Sequence, residues 1–241
     1  MIRLSHILAR GAAAVIVGLG VAAGCAPAKR DQQPLSIEET VVVERENGER
    51  IAVGTTEVTW QDWKRCHDAG ACGFLPKPAI HDATESFPVV GVNRLDIGEF
   101  IAWANAGGER RYRLPTAAEW EAFAAALPKP ESSKLFDDPR LAWAADYGRM
   151  QSIRREVRPS GDYGSLPNGI QDLGGSVFEW TSTCAVGEAD DERCPAYIVQ
   201  GLHKAVISVF IRDPAVGGCS SGAPPPHIGF RLVSEIEPLQ S

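Results

Sequence analysis

Beyond residue 128 the chain holds neither a helical nor a strand period for long. Stretches rich in Gly, Pro and Asp alternate with short apolar pieces, Tyr197–Gln200, Ala205–Ile211 and Phe230–Val233, that read as strands. So large an irregular fraction is unusual in a compact body. A repetitive core cannot hold such a fold together, so staples are required, and disulfides or a bound ion are the obvious ones. Cys25 aside, there are Cys66, Cys72, Cys184, Cys194 and Cys219. Cys66 and Cys72 flank Gly70, where a helix is expected to end, so the chain can turn back and bring them together. Cys184 and Cys194 bracket the acidic loop AVGEADDER, which a bridge would close. Other pairings stay open at this point. Cys219, in GGCSSGAPPP, is left over as a free thiol or as the partner of another chain. None of the spacings is that of a zinc site.

Whether these thiols oxidise depends on the compartment, and the N-terminus speaks to that. Residues 1–24 combine Arg3 and Arg10 with the short apolar run Ala12 to Ala23, closing on Ala-Ala-Gly before Cys25. A membrane span needs roughly 20 apolar residues, so this run reads as an export signal. Cys25 directly after small residues resembles a bacterial lipobox, with Cys25 as the lipidated first residue of the mature chain. The departure is Ala22, where Leu is more usual; the alternative is an ordinary signal peptide cut at Ala22-Ala23-Gly24. Residues 25–38 are polar and Pro-containing and read as a flexible tether. Residues 39–241 then form one domain. The expected location is the bacterial cell envelope, anchored to a membrane and facing periplasm or exterior.

The composition suits a folded body: 44 % hydrophobic and 23 % charged, which excludes wholesale disorder. With 24 Lys+Arg against 31 Asp+Glu the net charge is −7, and no basic cluster exists to grip nucleic acid. TVVVE, Asn47-Gly48 and RIAV read as a β-hairpin. Three helices follow, each opening on a cap: Thr59 with Asp62, then Asn93, then Thr116 with Glu119. The second carries Ile97, Phe100, Ile101 and Ala104 on one face and ends at Gly107-Gly108. The third carries Trp120, Phe123, Ala124 and Leu127 and stops at Pro128. The class is α+β, irregular and loop-rich.

In order along the chain stand TTEVTWQDWKRC (55–66), FPVVGVNRLDIGEFIAWAN (87–105), YRLPTAAEWEAFA (112–124), NGIQDLGGSVFEWTS (168–182) and HIGFRLV (227–233). This series resembles the formylglycine-generating enzyme or sulfatase-modifying factor family, over about residues 39–236. The resemblance implies a C-type-lectin-like fold. It also implies a structural calcium ion, with Asp172, Gly175, Val177 and Glu179 falling where calcium-binding members place their oxygens. The alternative is a capped turn with Glu179 in a salt bridge. A second calcium site is not recognisable around Ala145–Arg158.

The family's oxidase chemistry uses two cysteines that bind copper(I) and activate oxygen, after an R-G-G-S motif. Here the corresponding stretch, Ile198 to Arg212, keeps Gly201 alone of that motif and has no Cys. Without gaps the two thiol positions fall on Val206 and Ile211, and soft copper(I) has no substitute ligand there. No Cys lies between Cys194 and Cys219, so no shift of alignment restores the pair, and copper is not expected. No catalytic residue is assigned. Relatives that oxidise sulfur with iron use a three-histidine domain absent here; His67, His81, His203 and His227 have no ligand spacing. No nucleophile turn exposes Ser208, and Asp137-Asp138 and Asp190-Asp191 read as solvated loop acids.

Scaffold without chemistry implies a binding or accessory module recognising an exported protein, peptide or glycan. The surface expected for it is the groove of Tyr197, His203, Arg212 and the loop 213–227. Against it stand an oxidoreductase of formylglycine-generating type, or a related maturation factor, and a purely structural envelope protein.

Overall fold

A computed structural model describes residues 40–45, 47–78, 86–107, 110–127, 156–175, 177–185, 194–201, 204–208 and 228–236. The leader 1–24, the tether 25–38, Cys25, Cys219, His81 and His227, and the paired acids 137–138 and 190–191 lie outside the described residues.

The first elements follow local rules closely. β1 (Thr40–Glu44) and β2 (Arg50–Gly54) form an antiparallel hairpin in which Thr40 faces Gly54 and Glu44 faces Arg50. Gly48 closes its turn at φ 80°, a left-handed geometry that costs Gly nothing. α1 (Trp60–Asp68), α2 (Arg94–Ala106) and α3 (Ala117–Phe123) each begin with a full capping box: Thr59 with Asp62, Asn93 with Asp96, and Thr116 with Glu119. α2 buries Ile97, Phe100 and Ala104 as its spacing predicts, whereas Ile101 is only half-buried. α3 stops at Phe123 rather than at Pro128. The N–H of Ala125 donates to Ala122 and that of Leu127 to Ala124, so the last turn tightens before the proline is reached.

Two four-stranded sheets organise the rest. The first runs β1-β2-β8-β3, with β3 at Tyr112–Arg113 and β8 at Val233–Glu235; the second runs β6-β5-β4-β7, with β4 at Phe178–Cys184, β5 at Ala196–Gln200, β6 at Ala205–Ser208 and β7 at Ile228–Gly229. Expected strands 197–200 and 205–211 are found, the latter described only to Ser208. Phe230–Val233, however, is not one strand. β7 pairs parallel with β4 in the second sheet, Phe230 to Leu232 cross over, and β8 pairs antiparallel with β2 in the first. One short segment therefore joins both sheets.

The core divides accordingly. One cluster gathers Trp63, Phe100, Trp180, Tyr197 and Phe230 among its largest members, with Trp63 stacked on Phe100. The other gathers Ile51, Val53, Trp120, Phe123, Ile170 and Leu173. Both expected disulfides are present, Cys66–Cys72 and Cys184–Cys194. After α1 the backbone turns at Gly70 (φ 76°) and the N–H groups of Ala71 and Cys72 both donate to the Cys66 carbonyl, which delivers the two thiols to each other inside the first cluster. Opening so short a loop is worth about 2 kcal/mol. The Cys66→Ala, Cys72→Ala double variant is expected to lose roughly 4–8 °C in Tm, read by thermal denaturation; an unchanged Tm would show the bridge is idle.

Candidate functional site

The crossing segment carries Arg231, whose side chain is fully buried. All five of its N–H donors are committed. Nε–H donates to Glu179 Oε2 at 2.8 Å and Nη2 to Glu179 Oε1 at 2.7 Å, a two-pronged ion pair. Nη1 donates to the carbonyls of Gly54 and Thr55, both at 3.0 Å, and Nη2 also to that of Gln171 at 3.0 Å. Glu179 accepts one further bond, from Trp120 Nε1 at 2.8 Å. Burial works against the Arg231 charge, but Glu179, Glu57 and Asp172 together hold it above its ordinary value. One guanidinium thus fastens the end of β2, the turn before β4 and β4 itself.

Asp172 organises that turn. It stands at φ 67°, a left-handed geometry that Asp tolerates, and its carboxylate accepts the N–H groups of Gly161 and of Tyr163 (2.8 Å for the latter). Burial lifts its carboxyl above the usual range, with those N–H groups pulling the other way. Of the calcium set Asp172, Gly175, Val177 and Glu179, Glu179 accepts three N–H donors and Asp172 two. A cation would have to displace the Arg231 guanidinium from Glu179, so these residues do not fit a calcium ion. Glu179 is the salt-bridged carboxylate of the alternative reading. Among the described residues no three His, Cys, Asp or Glu side chains gather as metal ligands.

RLPT-x-x-EWE builds a second ionic joint. Arg113 grips Glu119 with two bonds of 2.7 Å and reaches Glu235 on β8 at 2.6 Å, while Arg45 ion-pairs with both acids. Burial alone would raise Glu119, but Arg113, the Thr116 N–H and Arg45 outweigh it and hold the carboxyl low. The same motif docks on β4, where the Ala117 N–H donates to Thr183 Oγ1 and the Ser182 N–H to the Pro115 carbonyl.

At the oxidase positions Val206 is a half-buried residue of β6, opposite Ile198 of β5, and Ile211 lies outside the described residues. The described cysteines are all bonded in pairs. The groove expectation fails at Tyr197, which is 1 % exposed: it faces the first core cluster, with the Arg94 guanidinium 5.0 Å over its ring. A strand residue in the apolar sheet interior cannot line an open surface. His203, Arg212 and the loop 213–227 lie outside the described residues.

What the sequence did not single out is Glu57. It lies in the EVT piece, is fully buried, and stands 4.0 Å from Arg231 Nη2. An acid next to an apolar run carries no local sign of where it will point.

The sulfatase-modifying factor enzyme 1-like domain family matches residues 14–236. No curated protein matches. Among solved structures, PvdO from Pseudomonas aeruginosa is 15 % identical over 82 % of this chain and 91 % of its own, with a TM-score of 0.53. Treponema denticola variable protein 1 is 17 % identical over 84 % of this chain and 98 % of its own, with a TM-score of 0.48. CarF is 16 % identical over 82 % and 93 %, also at 0.48. At 15 % identity the likeness to PvdO speaks to fold alone.

Proposed function

The chain belongs to the sulfatase-modifying factor enzyme 1-like family, and from that premise we propose that it is a non-oxidase member: an exported lipoprotein, anchored through Cys25, whose domain is a binding or accessory module for an exported protein, peptide or glycan. The observation that carries this is the fate of the family's motifs. Those that build the scaffold survive as the buried Arg231–Glu179 pair and the Arg113–Glu119 joint. The strand that would hold the copper thiolates is apolar, and no Cys lies between Cys194 and Cys219. Copper(I) chemistry with oxygen needs soft sulfur donors that no aliphatic side chain replaces.

The two disulfides support export, since such bonds persist in oxidising compartments. No helix among the described residues is long and apolar enough to cross a membrane. The lipobox-like leader assigns anchoring to Cys25, and Cys25→Ser is expected to lose both palmitate labelling and membrane association.

The decisive experiment supplies purified protein with copper, oxygen and a sulfatase-type Cys peptide. No formylglycine and no stoichiometric copper(I) binding are expected; conversion of the peptide would overturn the proposal. Capture from envelope extract with the same preparation then identifies what the module holds.

A further inference from the structure

We propose that Glu57 is a proton-operated latch on the joint between the two sheets, tight while its carboxyl is neutral and loosened when it ionises. This inference stands independently of the proposed function.

The geometry forces the choice. Glu57 lies in the segment joining β2 to α1, its side chain is 0 % exposed, and no other residue donates a hydrogen bond to either carboxylate oxygen. The nearest cation is Arg231, with Nη2 at 4.0 Å, but every N–H of that guanidinium is already given to Glu179, Gly54, Thr55 and Gln171. An ionised Glu57 can gain a bond from that guanidinium only by taking one from another acceptor.

The charged groups facing it are Arg231 on the crossing segment, Glu179 on β4 and Asp172 on the turn before β4. With all of them ionised, three carboxylates share one guanidinium in a buried site. A proton on Glu57 removes the charge held least well. Burial raises its carboxyl most; Arg231 and its own backbone N–H pull it down, Glu179 and Asp172 push it further up, and it settles at about 7.

The segment bearing Glu57 is pinned to the crossing segment itself. The Val58 N–H donates to the Phe230 carbonyl at 2.8 Å and the Gly54 N–H to that of Leu232 at 3.0 Å, on either side of Arg231. Repulsion at Glu57 therefore acts where both sheets are joined. Because the folded-state value lies above the ordinary 4.5, the proton favours the folded state. The stabilisation is complete below about 4.5 and is lost as pH rises through about 7, opposite in sense to ordinary acid denaturation.

The test uses the full chain with 13C-labelled Glu carboxyls, Glu57 being assigned by the signal missing from Glu57→Gln. A titration midpoint near 7 is expected. Between pH 5.5 and 8.5 the wild-type Tm is expected to fall by roughly 4–8 °C, with faster amide exchange at Gly54 and Val58 than the pH alone explains. Glu57→Gln flattens both responses, and Glu57→Met serves if the buried amide prevents folding. A midpoint below 5 in the wild type, or an equal pH slope in the variant, overturns the latch. If neither variant folds, the wild-type Tm decides: the absence of a fall between pH 5.5 and 8.5 overturns the latch.

Discussion

Arg231→Met is expected to leave no cooperatively folded domain at 37 °C. The side chain it removes is fully buried and makes two bonds to Glu179 and one each to the carbonyls of Gly54, Thr55 and Gln171. Met fills much of the volume, so the effect is not mainly a cavity. It is the buried Glu179, left with only the Trp120 indole N–H. Breaking a buried ion pair by removing one partner costs about 3–5 kcal/mol. The three carbonyls add about 1–3 kcal/mol for each one that water cannot reach. A domain is stable by about 5–15 kcal/mol in all, so the sum reaches most of it. Far-ultraviolet circular dichroism against temperature, with limited proteolysis, checks this; a protease-resistant variant melting within a few degrees of wild type would refute it. Arg231→Met with Glu179→Met, which removes both charges, is expected to recover part of the loss.

That prediction could not have come from the sequence alone, and the reason is physical. Rules that span a few residues were legible: the three helix N-caps, the Asn47-Gly48 turn, and the chain reversal at Gly70 that pairs Cys66 with Cys72. The motif order also carried the family. Partners distant in the chain were not legible. Glu179 looks equally like a calcium ligand and a salt-bridged acid until Arg231, 52 residues on, is seen at 2.7 Å. Tyr197 looked like a groove residue because its place near the stretch that corresponds to the family's catalytic strand was visible and its facing was not. Phe230 to Val233 read as one strand because an apolar run has the same composition whether it stays in one sheet or crosses between two. Glu57 was silent for the same reason.

The second large effect is expected one residue along from Glu179. Trp180→Ala should cost about 4–5 kcal/mol, at the upper end for truncation of a buried aromatic. The indole is fully buried, and its Nε1–H donates to the Val92 carbonyl at 3.1 Å, which the substitution orphans. β4 is an inner strand of its sheet, paired with β5 on one side and β7 on the other, so the backbone has little freedom to close over the gap. Trp180→Phe keeps most of the apolar area and loses mainly the hydrogen bond, so about 1–2 kcal/mol is expected. Denaturant unfolding of the three proteins gives the comparison; a Trp180→Ala loss under 1 kcal/mol would mean the site collapses freely. The alternation of a strand explains why this pair of residues matters so much. Phe178 and Trp180 face the cluster around Trp63 and Phe100, while Glu179 between them faces Arg231 and Trp120 on the side of the second cluster. Three consecutive residues of β4 therefore couple both cores to the ionic joint. The Arg231–Glu179 and Arg113–Glu119 joints both lie off β6, the strand that carries Val206, so a change of side chain at Val206 leaves them intact.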